Sequence, residues 1–281
     1  MTLYCDNASL TSGTTVDTFG TSVNIILNAS AKKIEGVIVV AYDSVFTAAE
    51  GSMVRTRLTS TGVPFLQNMD FLTGGLETSG PATNSSGQGS LQELIPLDYD
   101  TKGGETVTID AAPTTTITTG RRVQIGLLYS DGNLSSEING NFAGNYGALP
   151  ADAKGGATVD ASQTSTTSTA LSAITVPGWA REIIGCKAVV HKTGAISTGE
   201  SVGGFFSLAS TIPDFGVQNY PTNGIGATLG TPVGTGQYEA RVPWLPMYVR
   251  TPGKDITVTP SINLRSTVTT ANRVAFGLAW R

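Results

Sequence analysis

The residues that could carry catalysis or bind a transition metal are few in this chain. His191 is the only histidine among 281 residues, so a Ser-His-Asp or Cys-His mechanism would have to use it. It follows the predicted strand 184–190, which indicates a histidine at the solvated end of a strand. Zinc sites need three or four closely spaced His and Cys ligands. One histidine and two distant cysteines do not supply them.

Carboxylates offer a second kind of chemistry. Asp98, Asp100 and Glu105 cluster around one predicted turn, where carboxylate oxygens could bind Ca²⁺. The corresponding turn of the internal repeat described below carries Val249 and Arg250. The sequence therefore predicts no symmetric metal site, and a solvated acidic turn is the interpretation we favour. We predict no catalytic residues, no metal site and no cofactor.

A glycosidase-type pair of carboxylates stays open at this point, because it is defined by a geometry that the sequence does not give. Sugar-binding enzymes also present aromatic platforms, and aromatic residues make up only 7% of this chain. We therefore rank a glycan-acting hydrolase below the non-enzymatic functions.

The two cysteines, Cys5 and Cys186, are too few for a disulfide framework. We expect two buried thiols, with a single disulfide bridge as the alternative. The N-terminal segment lacks the charged region and apolar core of a signal peptide. Synthesis in the cytoplasm, without export, is the expectation.

The composition is typical of an all-β globular protein. Hydrophobic residues make up 40% of the chain and charged residues 14%, and 34 Gly and 13 Pro supply turns. The net charge is −4, and the first 20 residues contain no Lys or Arg. Proteins that package nucleic acid usually carry a basic arm or stripe, so we expect no direct contact with nucleic acid.

The most informative feature is an internal repeat with a period of about 150 residues. Three segment pairs align: 31–36 (AKKIEG) with 180–185 (AREIIG), 95–97 (IPL) with 245–247 (LPM), and 122–129 (RVQIGLLY) with 273–280 (RVAFGLAW). The order of the segments is kept and the offset drifts only from 149 to 151, which compositional bias does not produce. A solenoid needs at least three repeats, so each copy is predicted to be a closed domain.

Each copy contains six clear strand patterns bounded by turn residues. They lie at residues 23–29, 34–42, 53–59, 91–97, 106–109 and 122–129, and at residues 173–176, 184–191, 201–208, 238–249, 256–259 and 273–280. One or two further strands in the variable segments 65–72 and 215–220 bring the number to that of a β-sandwich or jelly roll.

The predicted fold is therefore all-β, with two tandem eight-stranded jelly-roll β-sandwiches. The first sandwich is placed at residues 1–135 and the second at 161–281, with a linker or crossover loop at 136–160. Phe142 and Tyr146 suggest that this linker packs onto another part of the molecule. Residues 74–90 and 219–236 do not align between the copies, and we expect them to be long loops at one end of the molecule.

Two consecutive eight-stranded sandwiches in one chain resemble the double jelly-roll major capsid proteins of the adenovirus-like lineage of tailless icosahedral viruses. The resemblance is architectural: the repeats at 25–129 and 174–280 carry it, it covers residues 14–281, and no family-specific motif contributes. It implies a structural protein of the virion of a bacterial or archaeal virus, which forms pseudo-hexagonal homotrimeric capsomers of an icosahedral capsid.

The resemblance also implies contacts with neighbouring capsomers and other virion proteins, and an internal membrane between capsid and genome. The chain ends at Trp280-Arg281, at the last predicted strand, without a C-terminal helix or basic tail. Contact with that membrane is therefore expected to be at most indirect. The alternative is a two-domain carbohydrate-binding or adhesin-like surface protein, against which the missing export signal and the few aromatic residues count.

Overall fold

A computed structural model of the chain describes residues 1–43, 54–73, 89–90, 93–114, 116–117, 120–142, 149–192, 201–213, 215–226, 242–265 and 272–281. In the first half these residues form nine strands: β1 (Leu3–Thr11), β2 (Val23–Ile26), β3 (Lys33–Asp43), β4 (Val54–Thr59), β5 (Met69–Thr73), β6 (Gly89–Ser90), β7 (Glu93–Asp100), β8 (Thr106–Pro113) and β9 (Arg121–Ser130).

The helix α1 (Ser135–Phe142) separates the halves. The described residues of the second half form eleven strands: β10 (Gly155–Gln163), β11 (Thr169–Ala170), β12 (Ile174–Val176), β13 (Glu182–Lys192), β14 (Ser201–Val202), β15 (Gly204–Ser210), β16 (Asn219–Pro221), β17 (Gly224–Gly226), β18 (Leu245–Arg250), β19 (Ile256–Leu264) and β20 (Asn272–Trp280).

The strands of each half form two antiparallel sheets. In the first half, sheet 1 has the order β1-β9-β3-β7 and sheet 2 the order β2-β8-β4-β5. In the second half, sheet 3 has the order β10-β20-β13-β18, and sheet 4 has the order β11-β19-β15-β16 with β12 also paired to β19. The chain alternates between the two sheets of each half in the same sequence. This is the jelly-roll topology, so the predicted fold class is confirmed.

The strands form because apolar side chains recur at every second position and are buried between the sheets. In β4, Val54 and Leu58 are buried with Thr56, while Arg55 and Arg57 lie on the outer side. Strand β19 follows the same alternation over nine residues. Each sandwich therefore has its own apolar core.

The two copies share their strand register. Gly36 in β3 pairs with Pro96 in β7, and the aligned Gly185 in β13 pairs with the aligned Pro246 in β18. A bulge directly precedes both glycines. The turns that follow β7 and β18 are equivalent as well, since each contains a glycine with a φ near +75°, at residues 103 and 253 (φ +80° and +74°).

The last strands show the same equivalence. Gly126 in β9 and Gly277 in β20 both pair with the middle of the neighbouring strand, and the preceding residues, Ile125 and Phe276, are fully buried in their cores. The aligned glycines thus occupy the same strands and the same faces in both sandwiches. The predicted duplication is confirmed in the described residues.

Three elements differ from the sequence prediction. Strand β1 is formed by the polar segment LYCDNASLT, which carries no strand pattern, and β10 begins at Gly155, inside the segment 136–160 expected to be a linker. The same segment also contains most of helix α1. Both strands complete the edge of a sheet by pairing with β9 and β20, and this pairing outweighs their weak β-propensity.

The remaining predicted strands are found with shifted ends. The run 201–208 is divided into β14 and β15, and the variable segments 65–72 and 215–220 contain β5 and β16. Residue 53 and residues 91–92 and 238–241, at the ends of three predicted strands, lie outside the described residues, as do most of the predicted loops 74–90 and 219–236 and Tyr146.

Candidate assembly surfaces

The two sandwiches meet through a junction in which an edge of the second lies on the outer face of sheet 1. The chain leading into β16 runs parallel to β1, with a bridge between Gln218 and Cys5. The Cys5 amide donates to Val217 O over 3.1 Å, and the Cys5 thiol donates to Asn219 O over 3.0 Å. Gln218 Nε2 donates to Leu3 O over 2.5 Å. The junction is therefore held by backbone groups of both sandwiches.

A buried polar network supports this contact from the second sandwich. The Tyr220 hydroxyl lies 2.9 Å from Gln218 Oε1 and 3.1 Å from Pro246 O. Both side chains are buried, and burial raises the pKa of Tyr220 well above its ordinary value. The amide of Gln218 is thus fixed in the orientation that reaches β1. A satisfied network of this kind specifies one arrangement of the two sandwiches.

Apolar packing fills the rest of the junction. The ring of Pro221 lies over Gly126, where a Cβ atom would come within 2.9 Å of Pro221 Cδ and 3.0 Å of Cys5 Sγ. A glycine is therefore required at this point of β9. The core of the second sandwich is continuous with four side chains from the outer face of sheet 1: Leu3, Cys5, Ile38 and Leu128.

Helix α1 is fixed to the first sandwich by a buried carboxylate. Glu35, at the bulge of β3, is fully buried. It accepts hydrogen bonds from the Leu134 amide over 2.8 Å, from Ser135 Oγ over 2.6 Å and from Ser130 Oγ. A carboxylate beside the first turn of a helix also interacts favourably with the helix dipole. Glu35 therefore determines where the chain leaves the first sandwich.

The other face of the helix contacts the second sandwich. Ile138 and Phe142, four residues apart on one face, are buried. The ring of Phe142 meets the ring of Tyr248 edge to face, with centroids 6.2 Å apart, and Asn141 Nδ2 donates to the Tyr248 hydroxyl over 3.0 Å. Burial raises the pKa of Tyr248 to about 12. The prediction that the segment around Phe142 packs onto another part of the molecule is confirmed, and that part is the second sandwich.

Parts of the two variable segments lie together. Strand β6, which precedes β7, pairs with β17, and β17 also pairs with β14, giving a three-stranded sheet that joins the sandwiches. We call this the bridging sheet. The residues between these strands are outside the described chain. Residues 89–90 and 224–226 of the two variable segments therefore lie together, whereas residues 219–221 of the second segment form strand β16 of sheet 4.

The outer face of sheet 3 carries an open groove of about 290 Å³. Trp244 forms one wall, and a Cβ atom on Gly277 would lie 3.3 Å from its ring. Burial lowers the pKa of Lys187 at the floor of the groove. The complete lining is Leu149, Thr158, Lys187, Val189, Trp244, Ala275 and Gly277. Sequence reasoning missed this surface, although the alignment of apolar Ile38 with Lys187 was a visible signal.

The acidic turn is occupied by partners within the chain. Lys33 Nζ forms ion pairs with Asp98 and, over 3.4 Å, with Asp100. Glu105 accepts hydrogen bonds from Thr101 Oγ1 over 2.6 Å and from the Lys102 amide over 2.9 Å. Partial burial alone would raise the pKa of Glu105, but these hydrogen bonds lower it below its ordinary value. The three carboxylates therefore do not converge on a common point.

The other candidate groups also lie apart. Cys5 and Cys186 are free, buried thiols, as expected, and burial raises the pKa of both. His191 lies in β13 opposite Arg273. The pattern Gly-x-Ser-x-Gly occurs at residues 199–203, but Ser201 opens the short strand β14 and is followed by another strand. A nucleophile elbow requires a following helix.

No group of three His, Cys, Asp or Glu side chains among the described residues is placed to hold a metal ion. None of the helices within the described ranges is long and apolar enough to cross a membrane.

Comparisons with known proteins gave only weak similarities. The chain matches no protein-family model and no curated protein. A chain from the Sulfolobus turreted icosahedral virus aligns at 10% identity with a TM-score of 0.24, covering 100% of this chain and 90% of that one. The VP2 subviral particle of infectious bursal disease virus aligns at 10% identity with a TM-score of 0.23, covering 99% and 71%.

The CUB1-EGF-CUB2 region of human MASP-1/3 scores similarly, with 8% identity and a TM-score of 0.21 over 97% of this chain and 99% of that one. The resemblance thus extends to viral capsid proteins and to a CUB domain. Scores this low establish no shared function.

Proposed function

We propose that this chain is a structural major capsid protein that assembles into a homotrimer, with six sandwiches around one axis. The observation that carries the proposal is the junction between the sandwiches. It joins an edge of one jelly roll to the outer face of sheet 1 in the other, so the two equivalent domains contribute different surfaces. Such a contact is heterologous, and its repetition generates a closed ring when the rotation allows.

A ring built in this way has a defined composition. Each chain supplies two sandwiches, so three chains supply six. Within a chain the first sandwich is followed by the second, and the contact between chains therefore joins the second sandwich of one to the first sandwich of its neighbour. The resulting pseudo-hexagonal capsomer would tile an icosahedral shell through contacts with neighbouring capsomers.

Other features suit a structural role, and we propose that the chain is not an enzyme. The buried polar network and the helix fix the two sandwiches relative to each other, which suits a tile that must keep its shape. The bridging sheet pairs residues 89–90 with β17, and we propose that the variable segments can differ without altering the ring. We propose a location in the virion, with other virion proteins as partners and without direct contact with nucleic acid.

Light scattering after size exclusion tests the proposal. The expected mass is about three times the 29.0 kDa of the chain, and the particles should have a six-sided outline in electron micrographs. An obligate interface of this kind should bury more than about 2,000 Å² in total. A monomer at micromolar concentration that binds a glycan would overturn the proposal in favour of a carbohydrate-binding module.

A further inference from the structure

Two large apolar side chains are exposed on the β5 edge of the first sandwich. Phe65 is 90% exposed and Leu72 is 59% exposed. Phe65 also has a φ of +66°, a conformation that is rare for a bulky residue and costs free energy. We call this surface the free edge. The positive φ belongs to the turn Val63–Leu66, in which the Leu66 amide donates to Val63 O over 3.3 Å and Pro64 precedes Phe65. The described residues leave both side chains largely open to solvent.

The equivalent side chains of the second sandwich are buried in the junction. The hydroxyls of Ser60 and Ser210 donate to equivalent carbonyls, those of residues 106 and 257, over 2.7 and 2.9 Å, and a phenylalanine follows each serine by five residues. The second of these, Phe215, is only 6% exposed and belongs to the core that includes residues of sheet 1.

Leu72 has an equally clear counterpart. Leu72 pairs with Arg55 in β4, and Pro221 pairs with Phe205 in β15. Arg55 and Phe205 are one repeat length apart in the sequence, so they occupy equivalent positions in the two copies. Pro221 is the residue whose ring covers Gly126 in the junction. The free edge therefore presents, to solvent, the two positions that the second sandwich uses for docking.

The docking face has a counterpart as well. Asn7 pairs with Gly126 in sheet 1, and Thr158 pairs with Gly277 in sheet 3. Because Gly126 and Gly277 are aligned in the repeat, the two pairs occupy equivalent positions. In sheet 1 this face is covered by the second sandwich. In sheet 3 it is the open groove, where Thr158 is exposed. Among the described residues, one edge and one face of each chain thus lack a partner sandwich, and they are equivalent to the edge and face used in the junction.

We propose that the free edge of one chain docks into the groove on sheet 3 of a second copy of the chain, repeating the junction between chains. This inference rests on the proposed function and specifies its interface. Leu72 would enter the groove beside Trp244, whose ring lies against Gly277. Burial of Phe65 and Leu72 would supply the apolar contact that such an anchor needs.

Single substitutions on each side test the docking. Leu72→Asp on the edge and Thr158→Arg in the groove should each raise the trimer dissociation constant by at least about tenfold, the effect of losing one central anchor. The matched control is Ile26→Asp, since Ile26 is 68% exposed and lies on β2, at the opposite edge of sheet 2. All three positions are exposed, and circular dichroism and the unfolding midpoint establish that each variant folds.

Cross-linking tests the direction of the contact. Leu72→Cys and Thr158→Cys are prepared as separate proteins, mixed, and treated with a short bis-maleimide. The native thiols are buried, so the new cysteines are the reactive ones. A head-to-tail contact gives a covalent dimer in the mixture and not in either protein alone.

The outcomes separate the inference from the proposed function. A trimer that persists in both charged variants, or a cross-link between two Leu72→Cys chains, overturns the docking geometry and leaves a trimeric capsid protein. A monomeric wild-type chain overturns both. Open-ended fibres in place of trimers would support the docking contact and contradict the closed ring.

Discussion

The two sandwiches share a register but differ where each meets its neighbour. The bulge in β3 and the bulge in β13 occupy the same place, yet the residue there is Glu35 in the first sandwich and Ile184 in the second, and both are buried. Glu35 holds the start of helix α1, whereas Ile184 belongs to the apolar core of the second sandwich. Equivalent backbone positions therefore carry different chemistry when the surroundings differ.

The same rule separates the two faces of each sheet. Residues between the sheets stay apolar in both copies, as with Ile125 and Phe276. Residues on the outer faces diverge, as with Ile38, covered by the junction, and Lys187, in the open groove. The interior is constrained by packing within one sandwich, and the outer face by whatever covers it.

The largest expected effect tests the equivalence of the cores. Phe276→Ala should lower the free energy of unfolding by about 3–5 kcal/mol, and Ile125→Ala by about 2–5 kcal/mol. Phe276 packs against Phe206 with ring centroids 5.1 Å apart, so its truncation leaves the larger cavity. Urea denaturation measures both losses.

The tryptophans make this comparison sharper. All three, Trp179, Trp244 and Trp280, lie in the second half of the chain, so fluorescence reports on the second sandwich and circular dichroism on both. If the junction couples the sandwiches, Ile125→Ala shifts the fluorescence transition too. Losses below about 0.5 kcal/mol for both variants would contradict the assigned core positions.

The second prediction concerns the bulge. Glu35→Gln should cost about 2–3 kcal/mol, because the amide nitrogen faces hydrogen-bond donors and one bond to a charged acceptor is lost. Ile184→Val at the equivalent position should cost only about 0.5–1.5 kcal/mol. Chemical denaturation of both variants gives the comparison. Equal losses in the free energy of unfolding would mean that the hydrogen bonds of Glu35 to helix α1 do not stabilise the protein.

The third prediction concerns pH. Hydrogen bonds from Thr101 and Lys102 lower the pKa of Glu105 in the folded protein. Its contribution to the free energy of unfolding is therefore fully present above the ordinary pKa of about 4.3. It is lost as the pH falls through the folded pKa. Glu105→Gln should cost on the order of 1 kcal/mol at pH 7 and flatten the stability profile below pH 4.

The control for the pH experiment is Asp255→Asn. Asp255 aligns with Glu105 in the second copy and accepts a hydrogen bond from the Gly178 amide over 2.6 Å. That substitution should leave the pH slope attributed to Glu105 in place. If Glu105→Gln leaves the pH dependence of stability below pH 4 unchanged, that dependence does not come from Glu105.

The smallest expected effect lies on the outer side of β4. The guanidinium groups of Arg57 and Arg55 lie 3.9 and 5.5 Å from the ring centroid of Phe19, and the second sandwich has Phe205 and Ser207 in their places. Phe19→Leu should cost about 0.5–1 kcal/mol. Calorimetry with and without added salt measures this loss, which should change little with salt if the ring contact carries it.

Much of the fold could be predicted because the repeat and the strand patterns depend on local sequence. The aligned Ile-Pro-Leu and Leu-Pro-Met segments and the terminal strands identified the duplication, and alternation in β4 indicated its buried face. Strands β1 and β10 could not be predicted in this way. Their paired positions share no identical residue, and they are strands because an existing sheet edge pairs with them.

The assembly surfaces were the least predictable part. Phe65 and Phe215 are the same residue type at equivalent positions, yet one is exposed and the other buried. The local sequence pattern does not predict this difference, because the difference depends on how the two sandwiches pack against each other. The aligned segments indicate which positions of the two copies are equivalent, but not which of these positions contact another sandwich.

The burial of Cys5 gives the junction a built-in kinetic probe. Its thiol contacts Asn219 of the other sandwich and has a raised pKa, so it should be alkylated only while the sandwiches are transiently apart. Cys186 lies in the core of the second sandwich and should become reactive only when that sandwich opens. The ratio of the two alkylation rates then distinguishes hinge-like separation of the domains from loss of their internal structure.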